Sequence, residues 1–334
     1  MTNTKRGFSY SKTKSIFIAE YHDGQWDSGR LQNDDHITIT AFATALHYGQ
    51  QAFEGLKAYA RRDGGVNLFR FMDNATRLQQ SCSRMLMPEV PLDLFRRGVL
   101  SAVNDNREFI PPYGYGESLY IRPLVIGLGP ILGAMPAKDY LFLVMVSPVG
   151  PYFEGGMKPV RMMVTSFDRA APHGTGKAKV GGNYGSSFFA QKEAREHGCA
   201  EAIFLDPATH QYIDEAGAAN FFGITKEGKY VAPISSSILD SITQRSLKIL
   251  AKKKLGLTIE ERPIAVSELA SFVEAGACGT AATITPIGEV LHEGKVIQIG
   301  EPMKVGPISQ QLYDLLIGIQ LGDIDDEFGW ITTI

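Results

Sequence analysis

Apolar positions along this chain fall into two rhythms that alternate from end to end. Strands are predicted at residues 16–21, which run into a His22-Asp23-Gly24 turn, and at 66–71, 119–126, 140–146, 160–164 and 202–205. Within 66–71 the alternation sets Val66, Leu68 and Arg70 on one face and Asn67, Phe69 and Phe71 on the other. Hairpins are expected around Glu227-Gly228 and Glu293-Gly294, each a turn pair between apolar runs. Helical spacing marks a segment capped by Asp73 or Asn74 and carrying Leu78, Met85 and Met87. Another segment begins at Pro91 with Leu92, Phe95, Val99 and Val103 on one stripe. Further helices are predicted at 186–197, ended by Gly198, at 241 to about 255, stopped by Gly256, and at 307–321. In the helix at 241, Ser241 and Gln244 have the spacing of a capping box, in which each side chain bonds the other's backbone amide.

Mixed strands and helices over 334 residues exceed what one core usually holds, so two α/β domains are expected. The pattern breaks at residues 147–156, a stretch rich in Gly and Pro, so the expected division is 1–147, a linker at 148–157, and 158–334. Residues 1–14 are polar and basic and read as an arm. No internal repeat or low-complexity segment interrupts the rest.

Composition narrows the partners. A net charge of −3 with no run of five or six basic residues argues against nucleic acid, and Lys252–Lys254 fits a helix C-terminus instead. Three widely spaced cysteines suit a reducing compartment, and the seven histidines show no metal-ligand spacing, so no metal is expected. Neither a signal-peptide pattern nor an apolar run of membrane-spanning length occurs, which places the chain in the cytoplasm and off the membrane.

Candidate chemistry centres on Lys177-Ala-Lys179-Val-Gly-Gly-Asn-Tyr184-Gly185, where a glycine pair separates a lysine from a tyrosine. Glycine permits positive φ and close backbone approach, so side chains leaving such a turn can enter a cleft. A lysine of this turn, Lys177 or Lys179, can then be a carbonyl-trapping amine and Tyr184 can hydrogen-bond an oxygen of what it holds, although a lysine near glycines is more often a solvated turn residue. Four further segments weigh against that plain reading. They are His47-Tyr-Gly-Gln-Gln-Ala-Phe-Glu-Gly55, Ser118-Leu-Tyr-Ile-Arg-Pro123, Asp214-Glu-Ala-Gly217 with Asn220-Phe221, and Gly279-Thr-Ala-Ala282 running into Ile284-Thr-Pro286.

Together and in this order, the five segments resemble those of the branched-chain aminotransferases, enzymes of fold-type IV that use pyridoxal 5′-phosphate (PLP). The resemblance runs from about residue 16 to the C-terminus. It implies a D-amino-acid aminotransferase-like fold of two α/β domains with PLP in the cleft between them, and reversible amino transfer from L-leucine, L-isoleucine or L-valine to 2-oxoglutarate. Position by position it implies Lys179 as the catalytic amine and Glu215 as the carboxylate that keeps the pyridine nitrogen protonated. Arg70, the amides of Ile242 and Thr243, and the Thr280 hydroxyl would hold the phosphate, and Tyr184 would serve the cofactor too. Burying Glu215 without a partner would be costly, which favours a cation beside it. Phe53, Tyr48, Tyr184 and Tyr152 resemble an aromatic wall. Arg122 with Tyr120 resembles a polar patch, and the Ala281 amide a carboxylate site. Leu132 and Ala134, in the Gly- and Pro-rich loop 127–136, match positions that reach the neighbouring subunit of a homodimer. The chain departs from the family in reading Leu239-Asp240-Ser241 where Leu-Pro-Gly is usual, in Val149 where a tryptophan is common, and in lacking the Cys-x-x-Cys of some animal relatives. Rival readings are a D-amino-acid aminotransferase or an aminodeoxychorismate lyase-like enzyme of the same fold, and a non-catalytic phosphate-binding module.

Overall fold

The structure, a computed structural model, describes residues 7–114, 116–150 and 157–334. Tyr152 and most of the expected linker lie outside the described residues. The described residues of Met1–Pro151, Ala178–Gly182 and Ile319–Ile334 form one compact unit, and those of Tyr152–Lys177 and Asn183–Gly318 the other. Two short segments from beyond the expected boundary, one of them carrying Lys179, therefore group with the N-terminal residues.

The first unit is built on β1 (Ile16–His22), β2 (Gln25–Trp26), β3 (Arg30–Gln32), α1 (Thr44–Tyr48), β4 (Gln51–Phe53), β5 (Leu56–Ala60) and β6 (Val66–Phe69). These are followed by α2 (Phe71–Arg84), α3 (Leu92–Asp105), β7 (Ser118–Gly127) and β8 (Tyr140–Val149). Its sheet runs from a C-terminal strand, Ile331–Thr333, through β6, β5, β7, β8 and β1 to β2, with β3 on β1 and β4 on β7. In β8, Phe142, Val144 and Val146 enter the core under α2 and α3, while Leu141 and Leu143 join Ile16, Ile18 and Ile126 on the other face. A strand covered on both faces has no reason to alternate with polar residues, which is why 140–146 reads as continuous apolar sequence. β8 continues to Val149, so the break in pattern at Ser147-Pro148 is not a break in the strand.

Two expectations in this unit are corrected. Neither Asp73 nor Asn74 caps α2; Arg70 occupies that position, in the left-handed conformation at φ 47°, so the strand ends at Phe69 and Arg70 no longer shares a face with Val66 and Leu68. Asp73 and Asn74 lie in the first turn of α2, whose amides would otherwise face water, and their side chains serve other groups described below. Met85 and Met87 lie past the end of α2 but still pack on its core.

The second unit contains β9 (Val160–Val164), the end of the short α4 (Gly181–Gly185), α5 (Phe188–Glu196), β10 (Glu201–Leu205), β11 (Ile213–Ala216), β12 (Ala219–Ile224) and β13 (Lys229–Ala232). It continues with α6 (Ile242–Lys254), β14 (Thr258–Glu261), β15 (Glu274–Gly279), β16 (Thr283–His292), β17 (Lys295–Gln298) and the start of α7 (Pro307–Leu321). The sheet order is β11-β10-β9-β16-β15-β12-β13-β14, with β17 on β16. Both predicted hairpins form, and Glu293 and Gly294 both take positive φ, the type I′ requirement. α5 ends at Gly198 and α6 at Gly256, both left-handed, as glycine past a helix end allows. Glu274 secures the start of α7 by accepting from the amides of Ile308 and Ser309 at 2.9 and 2.7 Å.

Candidate active site

The backbone of Lys179 is bonded through both its amide and its carbonyl. Its amide donates to Ser81 Oγ at 2.9 Å and its carbonyl accepts from the Phe53 amide at 3.0 Å. Its neighbours Ala178 and Val180 belong to the first unit's core, whereas Lys177 is exposed. Sequence left two lysines in one turn; burial separates them. Gly181 acts by space rather than by φ. Neither Gly181 nor Gly182 takes positive φ, but a Cβ on Gly181 would lie 2.3 Å from Gln51 Nε2. Tyr184 is half-buried in α4.

The Lys179 ammonium lies 4.9 Å from the centre of the Phe53 ring, and the Arg122 guanidinium lies 4.7 Å from the same ring. Arg122 also sits 5.2 Å from the Tyr120 ring and donates to its hydroxyl at 2.9 Å, so residues two apart on β7 act together on one face. Arg122 Nε is buried and has no hydrogen-bond partner among the described residues. Lys57, opposite Tyr120 in the β5–β7 register, adds a buried amine on this face, which burial pushes down to about 8. An apolar ring flanked by cations suits a ligand with an aliphatic part and a carboxylate.

Beneath this face, α2 presents Asn74, Arg77 and Ser81 at helical spacing, all buried. Arg77 grips the fully buried Glu54 with two hydrogen bonds of 2.7 and 2.8 Å, and Asn74 donates to it at 2.8 Å. Burial alone would raise the Glu54 carboxyl, but the charge and hydrogen bonds of Arg77, with Lys179 and Asn74, outweigh it and hold Glu54 below the usual range. Neither Glu54 nor Arg77 is marked out as a site residue by the motif pattern. Asn74, Arg77, Leu78 and Ser81 share one helical stripe, and the three polar members among apolar ones are the signal that would have found them.

Arg70 anchors the far end of β6. Its Nε donates to Asp73 Oδ2 at 2.6 Å, and its guanidinium lies 5.2 Å from the Trp330 ring. A left-handed arginine costs on the order of 1–2 kcal/mol, a strain more often met at functional positions than elsewhere.

Tyr48 stands apart from Phe53's cations. Its hydroxyl donates to the Leu132 carbonyl, tying α1 to the loop 127–136. Leu132, Ala134 and Met135 are exposed, and Gln50 holds the end of that loop by accepting from the Ala137 amide at 3.0 Å. The expected grouping of Tyr48 with Phe53 in one wall is therefore not what this chain's own contacts place together.

In the second unit the cation expected beside Glu215 is Arg169. Arg169 Nη2 lies 3.1 Å from Glu215 Oε2, with both side chains nearly buried, and also donates to the Ser237 carbonyl at 2.9 Å. Glu215 Oε1 accepts from the Leu239 amide at 2.8 Å, while Asn220, its register partner on β12, donates to the Leu239 carbonyl at 2.9 Å. Two residues of the Asp214–Asn220 motif thus fix both polar groups of Leu239, just ahead of α6.

Ser241 caps α6 by accepting from the Gln244 amide at 3.2 Å. The reciprocal half of the capping box is absent, because Gln244 turns inward and bonds Tyr230, Cys278 and the Phe221 carbonyl. Ile242 and Thr243 form the first turn, where helix amides have no intrahelical acceptor. Asp240 is mostly exposed and lies 3.6 Å from Arg245, so the Asp240 charge is partly matched by its own helix. Thr280 and Ala281 form the tip of the β15–β16 hairpin, which Thr283 closes at φ 58°. A left-handed β-branched residue is a genuine outlier.

A family model for amino-transferase class IV matches residues 51–290. This chain belongs to that family. The aminotransferase is 50% identical over 333 residues to the branched-chain-amino-acid aminotransferase of Haemophilus influenzae, covering 98% of this chain and 97% of that one. It is 50% identical over 327 residues to that of Helicobacter pylori, at 97% and 95% coverage. Among solved structures, the branched-chain amino acid aminotransferase of Thermobaculum terrenum in its PLP form superposes with a TM-score of 0.80 at 25% identity, covering 97% of this chain and 99% of that one. Fold and family follow as expected from the motifs.

Proposed function

We propose that this aminotransferase is a PLP-dependent branched-chain-amino-acid aminotransferase, moving the amino group of L-leucine, L-isoleucine or L-valine reversibly to 2-oxoglutarate in two half-reactions. The observation that carries the substrate class is the Phe53 ring with Lys179 and Arg122 both against it. It offers an apolar surface beside an amine, with a cation in reach for a second carboxylate.

PLP supplies an electrophilic aldehyde carbon and a ring that accepts electrons. Arg70, the amides of Ile242 and Thr243, and the Thr280 hydroxyl would hold its phosphate. Glu215, kept ionised by Arg169, would accept a hydrogen bond from the ring nitrogen, and Tyr184 would donate to the ring hydroxyl. Lys179 Nζ would hold the aldehyde carbon at rest and carry the proton during transfer. The Ala281 amide would bind the substrate α-carboxylate, with Phe53, Tyr152 and Tyr184 along its aliphatic chain. Arg122, with Tyr120, would take the distal carboxylate of glutamate.

The working form is a homodimer, and the site is completed by Leu132 and Ala134 of the partner's loop. Supporting this, Leu46 and Tyr48 of α1, Phe42 just before it, and Leu132 and Met135 of the loop 127–136 are all exposed large apolar side chains, and the loop is bonded to the Phe42 carbonyl and the Tyr48 hydroxyl. Among the described residues no helix is long and apolar enough to cross a membrane, and the cytoplasm is the proposed compartment. A screen of L- and D-amino donors against 2-oxoglutarate tests the reading. L-leucine, L-isoleucine and L-valine should be the best donors, and preference for D-alanine would overturn it.

A further inference from the structure

We infer that Trp330, carried in by the C-terminal strand, is a positioning residue that orders Arg70 for its phosphate contact. The inference rests on the proposed role of Arg70 at that phosphate. β6 would be an open edge without the C-terminal strand, which pairs Ile331, Thr332 and Thr333 with Phe69, Leu68 and Asn67. Val66 and Ile334 close the far end through reciprocal amide–carbonyl bonds of 3.1 and 2.9 Å. The same register brings Trp330 opposite Arg70, whose amide donates to the Trp330 carbonyl at 2.7 Å. That bond falls at the left-handed residue where the strand gives way to α2, so the ladder's last rung holds the strained position.

The side chains repeat the arrangement. The Arg70 guanidinium lies 5.2 Å from the indole ring and bonds Asp73 at 2.6 Å, so it is held by a face and by an edge. The indole is itself fixed: Phe328 stacks on it at 4.4 Å, Phe69 meets it edge-on at 5.6 Å, and Asp326 accepts from the amides of Phe328 and Ile331. An arginine ordered before its ligand arrives loses less conformational freedom on binding, and so binds more tightly through unchanged contacts. Nothing about residues 326–334 as a sequence announces this, since Trp330 reaches Arg70 only through the register.

The test compares apparent affinities of the apoenzyme for PLP and for pyridoxal, which lacks the phosphate, by absorbance titration. Trp330→Leu should lower PLP affinity about tenfold and change pyridoxal affinity less than about twofold. Trp330→Phe, which keeps a ring over the guanidinium, should stay within about threefold of the parent for PLP. Trp330→Met serves with the same expectation if the leucine variant does not fold. Equal losses for PLP and pyridoxal would overturn the proposal, because the indole would then be supporting the unit at large. Arg70→Met is the separate control. If it lowers the PLP-to-pyridoxal ratio while Trp330→Leu does not, Arg70 keeps its role and the proposal fails. If it leaves the ratio unchanged, the phosphate reading of Arg70 falls and takes the proposal with it.

Discussion

Arg169 and Glu215 form a nearly buried ion pair at 3.1 Å, joining the loop after β9 to β11. The pair has a consequence for stability and another for turnover. Removing one partner of a buried pair strands the other, at a cost of about 3–5 kcal/mol, whereas removing both costs less. Arg169→Met should therefore destabilise the protein by that order, and the Arg169→Met/Glu215→Gln double variant should recover part of it in a denaturant double-mutant cycle. Glu215→Gln alone should also lower turnover on the order of 10²-fold, since an acceptor for the ring nitrogen is weakened. Near-normal turnover would make the pair structural only.

Glu54 gives a pH dependence with a defined sign. Its folded-state carboxyl is held below the usual value, so its contribution is present above the unfolded glutamate pKa near 4.5 and is lost as pH falls through the lower folded value. Glu54→Gln should be less stable at neutral pH, because Arg77 is left uncompensated, and its stability should fall less steeply below about pH 4.5. Denaturation midpoints measured across that range check both parts. Parallel profiles for parent and variant would show that Glu54 does not carry the acid limb.

Ser81 receives the Lys179 amide from the same face of α2. Ser81→Ala should cost about 1–2 kcal/mol of stability and reduce kcat more than it raises KM, since it loosens the lysine rather than the substrate. A pure rise in KM would contradict this.

The proposed role of Arg122 distinguishes the two substrates. Arg122→Met should cost about 2–4 kcal/mol in the glutamate half-reaction, the scale of leaving a buried carboxylate without its cation, and much less with leucine. Single-turnover rates for each half-reaction decide it, and equal losses would assign Arg122 to the fold or to the α-carboxylate.

What the sequence revealed and what it hid follow a physical line. Helix positions were legible because one-sided burial imposes period, as in α3, strands such as β8 because two-sided burial imposes an unbroken apolar run, and turns where glycine must take positive φ, as at Gly228 and Gly294. Lys179, Glu215 and Asn220 stood out through motif spacing. Hidden were the relations that join distant segments: Arg169 to Glu215, Trp330 to Arg70, and Glu54 to α2. None is local, and an arginine in a loop carries no mark of the carboxylate it will meet. Gln244 shows the converse, a sound local rule overridden when a buried tyrosine and cysteine claim the side chain. The end of the β6 strand failed likewise, since alternation through Arg70 cannot signal a left-handed residue.

The central claim is that Lys179, half-buried between core residues and braced by Ser81 and Phe53, is the amine that holds PLP. Borohydride reduction of the holoenzyme, digestion and mass-spectrometric mapping test it most directly. The pyridoxyl label is expected on the peptide containing Lys179, at that residue. A label on exposed Lys177, or on the buried amine Lys57, would contradict the account.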